Sequence, residues 1–188
     1  MKHIYIIIML CLVTLSCSAQ DKKYHGDGID DYLRYVPLTS VYVLKACGVE
    51  SESSWKRLVV NTAASCALFM GVTYGLKHAI HERRPDGTDD MSFPSGHTMI
   101  AFAGAVMLQK EYGKLSPWIP VAGYAVATLT AVDRVRRNRH HWGDVAAGAA
   151  IGFLGTEAGY WLGDKITGEH SRYQVGVGAD GIQLAINL

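Results

Sequence analysis

From Leu58 to Leu76 the chain carries no formal charge. A stretch of that length and character holds together as a helix, because only a helix satisfies its own backbone groups inside a core or in lipid. Four further helical segments are expected around it. The set runs from about Asp30 to Cys47, Ser54 to His81, Pro94 to Tyr112, Pro117 to Val132 and Gly143 to Ile166. Apolar residues make up 49% of the 188, and 20 glycines with many alanines suit close helix packing. The links are short and polar, so successive helices run in opposite directions. The expected fold class is all-α, an antiparallel bundle of five to six helices with its functional site at one end.

The two ends of the chain differ from this middle. Lys2 and His3 precede the apolar run Ile4 to Leu15, and Ser16-Cys17-Ser18-Ala19 supplies small residues. Residues 1–19 therefore read as an export signal or a retained N-terminal anchor. Residues 20–168 form the helical domain. In the tail, residues 169–188, Val175, Val177, Ile182, Leu184 and Ile186 alternate about Asp180-Gly181, which predicts a small β-hairpin. Export permits disulfides, but Cys47 and Cys66 fall in apolar helical stretches without Cys-x-x-Cys spacing, so buried free thiols are expected.

Against a formal net charge of +1, cationic and imidazole groups gather in three segments beside helix breakers. They are Lys77 to Pro85, Pro94-Ser95-Gly96-His97, and Arg134 to Asp144. The up-and-down topology brings Lys77, Arg84, His97, Arg134, His140 and Asp144 to one end of the bundle. Such a gathering suits a compact, multiply charged anion, with phosphate the first candidate. Ser95 is a good N-cap, Gly96 admits an anion close to the backbone, and the first N–H groups of the following helix point outward. Lys77 offers a point charge, and Arg84 a planar fork of donors. His140 and Asp144, four apart, can meet on one turn, so that the carboxylate fixes the imidazole tautomer; on the residues alone His141 is an equal candidate. Asp30 and Asp31 read as acids at the positive end of the first helix. Glu157 reads as a buried, hydrogen-bonded group. The arginines between Arg134 and Arg139 suit lipid headgroups, and export argues against a nucleic-acid partner.

The spacings Lys77-x6-Arg84-Pro85, Pro94-Ser95-Gly96-His97 and Arg134-x5-His140-x3-Asp144, in this order, resemble the three signature motifs of the type 2 phosphatidic acid phosphatase (PAP2) and vanadium haloperoxidase superfamily. The resemblance covers about Ser54 to Ile166. It implies that Lys77, Arg84 and Arg134, with Ser95 and Gly96, hold phosphate oxygens. It implies His140 as nucleophile, selected over His141 by its spacing, with Asp144 orienting it and His97 as general acid. Asp133 departs from the family's usual serine, and is expected to brace Arg134 or to repel substrate. The implied function is a phosphatase acting on a lipid phosphate or polyprenyl pyrophosphate through a phosphohistidine, with no metal or cofactor. Membrane lipids are the implied partners, and the implied place is the inner membrane of a bacterial envelope, site facing the periplasm. The rival readings are a vanadate-dependent haloperoxidase, a soluble periplasmic acid phosphatase, and a non-catalytic phospholipid-binding module.

Overall fold

The protein's structure is a computed structural model that describes residues 28–169, 173–178 and 181–186; the expected export segment lies outside them. Six helices occupy the described residues: α1 Ile29–Leu33, α2 Val36–Ala46, α3 Trp55–Ala79, α4 Gly96–Tyr112, α5 Trp118–Arg136 and α6 Trp142–Thr167. In the tail, β1 Tyr173–Gly178 runs antiparallel to β2 Gly181–Ile186, with Tyr173 opposite Ile186. The turn expected there includes Asp180, which lies outside the described residues.

The expected single helix from Asp30 to Cys47 is two helices. Pro37 is the cause: it has no N–H and would clash with a carbonyl four residues back, so it fits only in a first turn. Accordingly α2 begins at Val36, and Arg34 and Tyr35 form the break. The other starts are capped as the sequence implies. Ser54 Oγ accepts from the Arg57 amide at 3.0 Å, opening α3. Ser95 Oγ accepts from the Thr98 amide at 3.5 Å, opening α4.

Glycines on α6 set its depth in the bundle. A Cβ on Gly148 would lie 2.4 Å from the Ser95 carbonyl oxygen, and one on Gly159 would lie 2.3 Å from the Ser65 Cα. Any side chain there would push α6 off α4 and α3 respectively. Between the helices lies a core of Val41, Leu58, Phe69, Met107, Tyr112 and Tyr160. Because α4 and α6 both begin at the end where α3 and α5 finish, the three basic segments share that end. The Ser95 amide donates to the Asp144 carbonyl at 3.0 Å, which ties the first turns of α4 and α6 together.

The opposite end closes on a buried polar network. Arg57 donates to both Asp164 oxygens, at 2.7 and 3.0 Å, and to Ser53 Oγ at 2.8 Å. Glu111 accepts from Ser53 Oγ at 2.6 Å and from the Tyr160 hydroxyl at 2.9 Å. Two expectations fail near this end. Glu157 is not buried: its side chain is 44% exposed and pairs with Lys110 of α4 at 2.8 Å, because its helical position puts it at the edge of the α4–α6 contact rather than inside it. Cys47 is a free thiol but exposed, since the helix ends there rather than running on into the core.

Candidate active site

Each motif residue sits at a helix end or in a link. Lys77 lies in the last turn of α3, Arg84 in the link after it, and Ser95, Gly96 and His97 at the start of α4. Arg134 lies in the last turn of α5, His140 in the link that follows, and Asp144 in the first turn of α6. The antiparallel bundle brings these six helix ends and links onto one another.

His140 is the centre of the arrangement. Its side chain is 2% exposed, and its Nδ1 lies 3.4 Å from Asp144 Oδ2. On the other side its Nε2 lies 3.2 Å from Arg84 Nη1. A carboxylate accepts and a guanidinium donates, so the ring carries its proton on Nδ1 and presents a lone pair at Nε2. Burial, and after it the positive charges of Arg134, Arg84 and Lys77, push the imidazole down to about 4, against the pull of Asp144. The ring is therefore neutral at ordinary pH. Asp144 Oδ2 is itself fixed by Ser92 Oγ at 2.5 Å and by the His141 amide at 2.8 Å. The neighbouring His141 is 47% exposed; its Nδ1 faces Glu82 at 3.1 Å and lies 3.5 Å from the same Asp144 oxygen, at the exposed edge of this arrangement.

The cations converge around that ring. Lys77 Nζ and Arg84 Nη2 both donate to the Met91 carbonyl, at 2.7 and 3.3 Å. Arg84 Nε also meets Asp89 at 2.7 Å. Arg134 is buried at 2% exposure, and its Nε has no hydrogen-bond partner among the described residues. Its Nη1 donates to Asp30 Oδ2 at 2.6 Å, and the same oxygen lies 3.7 Å from His97 Nε2. Thus Arg134 and His97 reach one shared oxygen atom. The Ser95 hydroxyl is spent on its cap and on Thr98 Oγ1 at 3.0 Å, and its amide on Asp144. At this turn the donors left for an anion are the amides of Gly96 and His97, which a helix start leaves without intrahelical partners. Asp133 pairs with Arg136 at 2.9 Å rather than with Arg134.

Sequence reasoning missed five residues here. Ser92 and Asp89 come from the turn-rich link, where nothing in their spacing marks them. Asp30, Asp31 and Arg34 come from α1. The two acids are first-turn residues, as expected, and Asp31 Oδ2 accepts from the Gly28 amide at 3.3 Å, but both also reach the pocket: Asp31 Oδ1 lies 2.8 Å from His97 Nε2. Arg34 Nη1 meets the same ring at 2.8 Å. Two clusters have metal-ligand composition, Asp30–Asp31–His97 and Glu82–His141–Asp144. Their carboxylates are already engaged by arginine, imidazole or hydroxyl partners.

The chain is similar in sequence to known proteins. The family model described as the PAP2 superfamily matches residues 58–167. The chain is 36% identical over 181 residues, 92% of its length, to a lipid A 1-phosphatase of Porphyromonas gingivalis, of which it covers 41%. It is 37% identical over 73 residues, 33% of its length, to a probable diacylglycerol pyrophosphate phosphatase of Schizosaccharomyces pombe, of which it covers 26%. It is 38% identical over 74 residues, 34% of its length, to a lipid phosphate phosphatase of Arabidopsis thaliana, of which it covers 23%. The chain thus spans less than half the length of these curated relatives. No solved structure matches it.

Proposed function

The chain belongs to the PAP2 superfamily, and from that premise we propose that it is a phosphatase of lipid-linked phosphate or pyrophosphate, working through a phosphohistidine at His140. One observation carries the reading: a buried neutral imidazole held between Asp144 and Arg84, its Nε2 lone pair facing the cations. In the reaction the Nε2 lone pair attacks phosphorus and the bond to the leaving oxygen breaks. Burial, with Arg134 and Arg34 beside it, holds the His97 imidazole down to about 3; the negative charge of a phosphate ester counters that, and His97 then supplies the proton the leaving oxygen needs. Asp144 holds the Nδ1 proton in place and balances the charge the ring gains. Lys77, Arg84 and Arg134, with the amides of Gly96 and His97, take up charge on the phosphoryl oxygens. Water then attacks the phosphohistidine, with His97 receiving its proton. Three fixed cations provide the charge that a metal would otherwise supply.

A lipid substrate is supported by the outside of the bundle. Among the described residues α3, 25 residues long with a mean hydropathy of 1.4 over an 18-residue stretch, is the one helix long and apolar enough to cross a membrane. Met70, Val72, Val121, Leu129, Phe153 and Leu154 face outward on three helices. Exposed Trp142 stands at the site end of α6 and exposed Trp161 towards the other. At the rise of an α-helix they are about 28 Å apart along the axis, close to the ~30 Å of a bilayer's apolar layer, at whose edges tryptophans collect. The reading is of a bundle in a bacterial inner membrane with the site at its periplasmic surface.

A screen of the purified full chain in detergent tests this. Lipid A 1-phosphate, diacylglycerol pyrophosphate, phosphatidic acid and polyprenyl pyrophosphate are each assayed for phosphate release. Release from at least one, blocked by orthovanadate, is the expected outcome. Release from none excludes the phosphatase; vanadate-dependent halide oxidation by peroxide would replace it with a peroxidase.

A further inference from the structure

We propose that Asp30 and Asp31 are a built-in counter-anion of the phosphate pocket: they occupy it while no substrate is bound, and they leave with α1 when a phosphate ester enters. This rests on the phosphate-pocket reading above. Asp30 is fully buried, and its two oxygens accept from Arg134 Nη1 and Arg137 Nη1, each at 2.6 Å. Asp31 takes the Nε2 face of His97 at 2.8 Å. The two carboxylates thus touch the side chains that would grip a phosphoryl oxygen and protonate a leaving group.

The way α1 is attached supports displacement rather than a permanent brace. The helix has five residues, and its one buried side chain is Asp30. Of its apolar side chains, Ile29 and Tyr32 are 62% and 69% exposed, and Leu33 is half-buried. Docking of α1 therefore rests more on ion pairs with the pocket than on burial of apolar area, to which Leu33 adds only in part. Burial disfavours the charge of Asp30, but Arg134, then His97 and Arg137, outweigh it and hold the carboxyl below its ordinary range. Buried arginines need an anion beside them. A phosphate ester offers more charge and more acceptor oxygens than a carboxylate, so it competes well for the same guanidinium groups. The break at Arg34 and Tyr35, ahead of Pro37, allows α1 to move without α2.

Hydrogen exchange of the full-length chain with and without orthovanadate distinguishes the possibilities. Slower exchange over residues 95–98 and 140–144, with faster exchange over 29–35, is expected. Slower or unchanged exchange over 29–35 alongside protection of the site overturns the displacement and makes α1 a fixed part of the pocket. No protection at 95–98 or 140–144 would instead overturn the phosphate-pocket reading itself. The Asp30→Asn, Asp31→Asn double variant gives an independent check. Vanadate should bind it about tenfold more tightly, the equivalent of removing a competitor worth ~1.4 kcal/mol. Unchanged or weaker inhibition contradicts the proposal.

Discussion

The two ends of this bundle use the same kinds of side chain to opposite effect. At the far end Arg57 meets Asp164, and Glu111 meets Ser53 and Tyr160. Arg57 and Asp164 belong to α3 and α6, two long packed helices, and Glu111 and Tyr160 to α4 and α6, so the charges are matched by rigid neighbours. At the site end Arg84 meets Asp89 from a link, Arg134 meets Asp30 from a five-residue helix, and Arg139 meets Asp86 from the same link as Asp89. There the carboxylates come from pieces that carry little of the core. Only Asp144, tied by Ser92 and the His141 amide, is fixed as firmly as its far-end counterparts. A closed network stabilises; cations whose partners sit on peripheral pieces can exchange them for an incoming anion.

Four experiments break or sharpen that contrast. His140→Ala is expected to remove phosphate release by on the order of 10⁴-fold while leaving the melting temperature near that of the parent; substantial activity in the variant would take the nucleophile away from His140. Arg57→Ala should do the reverse. Leaving Asp164 and Glu111 without their guanidinium partner costs about 3 kcal/mol of stability, read from denaturant unfolding, with kcat per folded molecule unchanged. A loss of kcat at full stability would mean the two ends are coupled.

The third experiment concerns pH. The His140 imidazole is held at about 4, below its ordinary range. It stays neutral, and able to attack, as pH falls from neutrality until about pH 4. After correction for substrate ionisation, the acid limb that His140 imposes on kcat/KM with an aryl phosphate should fall there. A limb near the ordinary imidazole value would mean the ring is not buried among cations. The same depression makes its contribution to stability complete above the unfolded imidazole's range and lost as pH falls through about 4. The smallest effect belongs to His141→Ala. That ring is half exposed and paired with Glu82, so activity should fall by less than about tenfold; a larger loss than that of His140→Ala would reverse their roles.

The bundle was legible because its signals are long and periodic: an uncharged α3, capped starts at Ser54 and Ser95, and links too short for anything but antiparallel neighbours. So was the gathering of Lys77, Arg84, His97, Arg134, His140 and Asp144 at one end, which follows from topology once the helices are placed. What escaped depends on where a side chain turns after its helix is set. Asp30 and Asp31 look like ordinary first-turn acids, and only the packing of α1 against α5 aims them at Arg134 and His97. Glu157 sits in an apolar helix, yet its position on the circumference puts it at the edge of the α4–α6 contact beside Lys110. Pro37 was visible, and the split it forces between α1 and α2 follows from its ring; reading one helix through it gave too much weight to the apolar residues on either side.

The central claim is that phosphorus becomes bonded to His140. Rapid acid-free quenching of the full chain with a radiolabelled phosphate ester, followed by peptide mapping by mass spectrometry, tests it directly. The account predicts an acid-labile, base-stable phosphoryl group on the peptide containing His140, absent from His140→Ala. Label on another residue, or steady turnover with no phosphoenzyme in single-turnover experiments and none trapped in the His97→Ala variant, would contradict it.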